Sequence, residues 1–357
     1  MSASLDFQVL AALAGLIILA LIGVFLALWM SIGLFQARSL IRRELGAYFF
    51  SPIAYVVLVV FLFVTGYLFF VTLDQLTAKG AEGVEYPMQF FLGHQTNTRV
   101  FWLVFLVIPP LLTMRLLAEE RGSGTLEMLM TSPLRDWQVV LAKYLACYLF
   151  YLFLWLPTLV YLPILLDLHI TDWNLVISPY TILLASGLAS VVVGLLILLP
   201  RLGTWSRLLA LVLIVGGLAC TGVGTWAHNR FDSPHLVDFY LGIDPMPVLA
   251  SYLGLALAGA MFLSIGLLVS SLVRSQIVAA LVSLVLSLVF IFAGFWRPDL
   301  DPGSSLYRLL FFFSVPLHFD KGFTVGLVST QPIVLYVSVT LFCLFLTVRS
   351  LESRRWR

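Results

Sequence analysis

Nine long apolar stretches decide what this chain can fold into. They run approximately Val9 to Phe35, Pro52 to Leu73, Val100 to Met114, Tyr144 to Leu166, Tyr180 to Pro200, Leu208 to Trp226, Val248 to Val273, Ile277 to Trp296 and Gln331 to Val348. A helix needs about 20 residues to cross the hydrocarbon of a bilayer, and most of the nine meet that length. Because hydrocarbon gives backbone N–H and C=O groups no partner, a spanning segment must be a helix or part of a closed barrel, and uninterrupted runs of this length select helices. Composition agrees: 61% of residues are hydrophobic and 11% charged, against about half and a quarter in soluble domains. The expected fold is an all-α, polytopic membrane protein with about nine transmembrane helices. Val100 to Met114 is short, and it reaches spanning length if the helix runs on through Ala118 while Arg115 snorkels toward headgroups. The first segment lacks a basic leader and a small-residue cleavage site, so it reads as a retained helix.

The charges set an orientation. With the amino terminus outside, the inner side collects 14 of the 20 Lys and Arg residues, and the outer side collects 12 of the 18 acids. Positive-inside bias then predicts an outer amino terminus and an inner carboxyl terminus, in a cytoplasmic (inner) membrane. Cys147, Cys220 and Cys343 lie far apart within apolar runs and read as small buried hydrophobes, not as a disulfide set or a metal cage.

Arg115 to Lys143 is the one long inner loop and the most charged stretch of the chain. Gly122 and Gly124 should break the helix leaving the third span. Thr125 to Met130 can form a short helix, and Ser132 should cap a new one with Pro133 at its first position and Asp136 in its first turn. On the short piece Leu126, Leu129 and Met130 share one face while Glu127 faces elsewhere. Such an amphipathic nub suits a cleft of another protein, whose movement it would transmit; the bland alternative is a merely solvated loop. Upstream, in Arg38 to Phe50, Ile41, Leu45, Tyr48 and Phe49 form a helical stripe that avoids Arg38, Arg42 and Arg43. The pattern fits an interfacial helix on the inner leaflet, and equally a basic flank that anchors topology.

These residues resemble a known family. The run EERGSGTLEMLMTSPLRDWQVVLAK, with Glu119, Glu120, Arg121, Gly124, Thr125, Leu126, Glu127, Leu129, Pro133 and Lys143, is similar to the coupling segment of ABC-2 type permeases of the gliding-motility-type subfamily. RRELGAYFFSPIAYVVLVVFL resembles that family's elbow and first core span, SSLVRSQIVAA a junction of two later spans, and HFDKGFTVGLVST with LESRRWR its tail. The resemblance implies a type V exporter-like core of six helices and pairing with a second permease subunit. It also implies a separate ABC ATPase held by Glu119, Glu120, Arg121, Gly124, Thr125, Leu126, Glu127, Leu129 and Pro133, with Ile41, Leu45, Tyr48 and Phe49 on the elbow beside it. The expected layout is an extra helix in residues 1–36 and a permease domain in 37–357. Within that domain fall an elbow at 37–51, a coupling segment at 115–138 and an inserted helical pair at 179–227. The extra helices could dock another membrane subunit.

No GxxxxGK[ST], HExxH or GxSxG run occurs, so the chain carries no recognisable catalytic motif, any ATP must be hydrolysed in another chain, and no cofactor is called for. The apolar segments hold almost no ionisable residue, which disfavours an ion-driven carrier. His94, His169, His228, His235 and His318 all fall in predicted outer loops without regular ligand spacing, and no metal site is expected. Leu306 to Phe319 reads as an outer interfacial or re-entrant helix. The leading reading is an exporting, ATP-driven permease subunit with an unidentified substrate. The alternatives are a non-transporting scaffold of the same fold and a permease for metal or cofactor maturation outside the cytoplasm.

Overall fold

The structure is a computed structural model. It describes residues 36–79, 88, 92, 98–124, 135–160, 168–171, 174–177, 186–188, 190–191, 211, 214–223, 245–295 and 305–355. A short helix α1 (Arg38–Phe49) is followed by α2 (Pro52–Lys79), α3 (Thr98–Thr113), α4 (Ala118–Gly122) and α5 (Asp136–Trp155), which continues as a 3-10 turn through Val160. Next come a two-stranded antiparallel hairpin, β1 (Leu168–Thr171) and β2 (Asn174–Ile177), and then α6 (Pro245–Leu272) and α7 (Gln276–Phe295). Two short helices, α8 (Ser305–Phe313) and α9 (Val315–Lys321), precede the last, α10 (Thr330–Arg355).

Among the described residues, five helices are long and apolar enough to cross a membrane: Ala54–Thr72, Asp136–Val160, Met246–Leu272, Gln276–Ala293 and Thr330–Ser353. Phe101–Thr113 and Ile214–Val223 are shorter apolar helices. The expectation of a multi-pass helical membrane protein therefore holds. The segments Val9 to Phe35 and most of Tyr180 to Trp226 lie outside the described residues.

The helix α6 is the hub. Its spanning window is 72% buried, against 22% for α7 and 33% for α2 and α10, whose outward faces are apolar. Tyr144, Tyr148 and Tyr151 on α5 donate to the α6 carbonyls of Ala260, Ala256 and Leu255 at 3.0, 3.3 and 2.9 Å. Buried phenols thus find partners where no water exists, and they tie two helices together. This close approach requires Gly259, because a Cβ there would fall inside the Tyr151 ring. Above this seam an aromatic cluster links Phe61, Trp155, Phe101, Trp102, Phe319 and Phe323 through successive ring contacts of 4.9 to 6.1 Å.

Several boundaries differ from the sequence reading. The third span does not run on through Ala118: α3 stops at Thr113 and Met114 to Leu117 form a turn. Pro109 and Pro110 lie inside α3 and leave two earlier carbonyls without their helical donors. The fifth helix begins at Asp136 with Arg135 extended before it, so neither Ser132 nor Pro133 opens it; Gln138 instead reaches back to accept the Arg135 N–H at 2.9 Å. Leu306 to Phe319 is two helices, because Ser314 caps α9 by accepting the Leu317 N–H at 3.3 Å, with Pro316 in its first turn.

Candidate functional site: a polar junction at one end of the bundle

At the end of the bundle where α6 finishes, three sequence-distant elements meet. The α3 to α4 break leaves backbone groups in need of partners. Ser270, near the end of α6, supplies them: its hydroxyl oxygen accepts the N–H groups of Leu117 and Ala118 at 3.1 and 3.0 Å, and its proton goes to the Met114 carbonyl at 3.2 Å. The Arg121 guanidinium donates to the carbonyl of Ser271 and, at 3.2 Å, to that of Val273. Through these two links α4 is fastened to the terminus of α6. After α4 the chain turns at Gly124, whose φ of +74° belongs to the left-handed region that glycine adopts freely.

A buried ion-pair cluster lies beside this break. Lys143 is 1% exposed, two turns into α5, and its Nζ sits 2.8 Å from Glu120 Oε1 and 3.2 Å from Glu44 Oε1. Arg43, on the surface of α1, approaches the same oxygens, at 2.9 Å for Glu44 and 3.8 Å for Glu120. One ammonium therefore joins α1, α4 and α5. An unpaired lysine at this depth would cost several kcal/mol, and the two carboxylates make its burial possible. Lys143 was expected in the inner loop; with its charge paired, the helix starts some eight residues before the apolar run does.

The sequence-predicted elbow stripe faces inward against protein. Tyr48 and Phe49 are buried, while Ile41 and Leu45 are partly buried. Leu40, which the stripe omitted, joins Ala37, Val139 and Ala142 in a separate small core. Tyr48 stacks on Phe150 with ring centroids 5.1 Å apart and donates to the Leu112 carbonyl at 2.7 Å. Burial pushes its phenol well above the ordinary value, so it remains a donor throughout the physiological range. Gln138 also donates to Gln36 at 3.0 Å, fixing the start of the elbow on α5.

Between α1 and α4 lies an open cleft of about 340 Å³, lined by Glu44, Ala47, Tyr48, Arg115, Leu116, Glu119, Glu120, Ser123 and Lys143. Of the residues read as a coupling surface, Glu119 and Glu120 line this cleft, while Arg121 turns to the terminus of α6 and Gly124 lies in the turn after α4. Glu119 and Gly124 are exposed. Glu120 and Arg121 are spent on the protein itself, a distinction that residue type and spacing could not signal. Thr125, Leu126, Glu127, Leu129 and Pro133 lie outside the described residues.

The comparisons bear on this same stretch. A family model described as ABC-2 family transporter protein matches residues 84–271, just over half of the chain and the whole of the α3 to α6 scaffold around the junction. The chain belongs to the ABC-2 transporter family. No curated protein and no solved structure matches it. For an ABC-2 protein the family implies a membrane transport subunit and an ABC ATPase as partner.

The opposite end of this ABC-2 bundle holds His318. It is buried in α9, with Nδ1 3.1 Å from the Tyr336 hydroxyl, and desolvation lowers its pKa to about 4. It is a neutral packing residue there, not a loop ligand. Among the described residues no three His, Cys, Asp or Glu side chains converge on a point where a metal could sit.

Proposed function

We propose that this chain is the permease subunit of an ATP-driven exporter, coupled to its separate ATPase through the loop between α3 and α5. The observation that carries the reading is the Glu44–Lys143–Glu120 cluster. It makes the elbow, the loop-bearing α4 and the α5 span one mechanical unit, while Ser270 and Arg121 attach that unit to the hub helix. A push on the loop then reaches α6 through bonded groups. In this reading the junction is cytoplasmic, the amino terminus is outside and the carboxyl terminus inside, and a second permease subunit completes the substrate path. The gliding-motility-type subfamily is supported by the residues of the coupling run.

The structure refines which residue probes the interface. Glu120→Lys would set a second ammonium against Lys143, so any loss of ATPase binding by that variant would report misfolding. Glu119, exposed on α4, is the clean probe. A photo-crosslinking residue at position 119 should capture the ATPase, while one at the exposed, distal Leu341 on α10 should not. Equal capture at both positions, or capture at neither, counts against the assigned interface.

A further inference from the structure

Two charged residues in the α1/α4 cleft stand apart from its ion pairs. Lys143, Glu44, Glu120 and Arg43 neutralise one another, with every oxygen-to-nitrogen separation at or below 3.8 Å. Arg115 is only partly exposed, yet among the described residues its guanidinium makes no hydrogen bond or ion pair. Its one ring contact is with Tyr48, whose ring centroid lies 5.7 Å from the guanidinium carbon. Four residues on, Glu119 also lines the cleft and is exposed, and its carboxylate has no ion-pair partner among the described residues. A cation with unused, fork-shaped donors at the floor and a free carboxylate at the rim describe a receptor for a zwitterion.

The depth of the cleft identifies the kind of zwitterion. Arg115 comes two residues after the last residue of the apolar helix α3. At the same end, Phe50 and Tyr55 are 72% and 53% exposed, as aromatic residues are at a membrane–water boundary. Guanidinium, phenol and carboxylate thus line one cleft next to the end of an apolar helix and beside exposed aromatic residues. We propose that the cleft binds the headgroup of an inner-leaflet aminophospholipid, with its phosphate on Arg115 and its ammonium on Glu119. The bound lipid fills the space between elbow and α4 and stiffens the junction. The choice of leaflet rests on the orientation proposed above, and the site itself does not depend on ATPase docking.

The test is native mass spectrometry of the delipidated full chain, titrated with short-chain phosphatidylethanolamine or phosphatidylglycerol. The wild type should take up one saturable phosphatidylethanolamine in preference to phosphatidylglycerol. Arg115→Gln should weaken that first binding event by roughly tenfold or more, the scale of charge-assisted hydrogen bonds. Glu119→Gln, a near-isosteric change at an exposed position, should abolish the preference between the two lipids while melting as the wild type does. No saturable lipid, equal affinity for both lipids in the wild type, or full displacement by millimolar inorganic phosphate would each overturn the proposal. Loss of ATPase binding in Arg115→Gln with lipid uptake unchanged would overturn it in favour of a partner's carboxylate on Arg115. Failure of ATPase capture at position 119 with the lipid results intact would leave this site standing.

Discussion

Lys143 is the residue on which the junction turns. Replacing it with Met leaves the carboxylates of Glu44 and Glu120 close together without the buried ammonium that joins them, and such a removal costs about 3 kcal/mol. Thermal unfolding in detergent should show Lys143→Met strongly destabilised, and the triple variant Glu44→Gln, Glu120→Gln, Lys143→Met should recover most of the loss. A triple variant no better than the single would mean that the cluster matters through shape, not charge. His318 makes a pH prediction. Its folded pKa of about 4 lies below its ordinary 6.5, so the unfolded chain binds the extra proton first as pH falls. Stability contributed by the neutral imidazole is complete above about 6.5, declines between about 6.5 and about 4, and falls no further below that. His318→Gln should flatten the melting temperature across that window; an unchanged slope would assign the pH dependence to other groups.

At the scale of elements, long apolar runs made the helices legible, since spanning length and backbone satisfaction leave few alternatives. Where elements end was legible only in part. Gly124 stops α4 as its residue type suggests, yet α3 stops earlier because a hydroxyl from Ser270, some 150 residues on, takes over the backbone groups at the break. In the sequence the start of α5 falls a few residues early, at Ser132 and Pro133, because their residue types suit a helix start, whereas Arg135 is extended and Gln138 reaches back to its N–H. The candidate site was legible only as a run of charges: Glu119, Glu120 and Arg121 stand out in the sequence, but which of them faces outward depends on partners that local spacing does not reveal. Two substitutions test the element contacts. Ser270→Ala strands two N–H groups and should cost about 1 to 3 kcal/mol, with faster amide exchange at Leu117 and Ala118. Gly259→Val pushes α6 off Tyr151 and should cost about 1 to 3 kcal/mol, read as a lowered melting temperature. Wild-type exchange in Ser270→Ala would remove the hydroxyl from the account of the break.

At the scale of the whole molecule, the central claim is that a bundle built around α6 receives force at one end, from an ATPase docked below α4. Outward apolar faces on α2, α7 and α10 suit lipid or neighbouring subunits, and the match to the ABC-2 family over residues 84–271 covers the part that links junction to hub. The most direct measurement is to recover the intact protein from its native membranes in mild detergent, identify its partners by mass spectrometry and assay ATP hydrolysis, for the wild type and for Glu119→Lys. The account predicts a stoichiometric partner carrying a phosphate-binding GxxxxGK[ST] loop, active in the wild-type complex and depleted from Glu119→Lys while that variant melts as the wild type does. A stable complex that contains no ATPase would contradict it, and would mean a membrane scaffold that keeps the transporter fold without its motor.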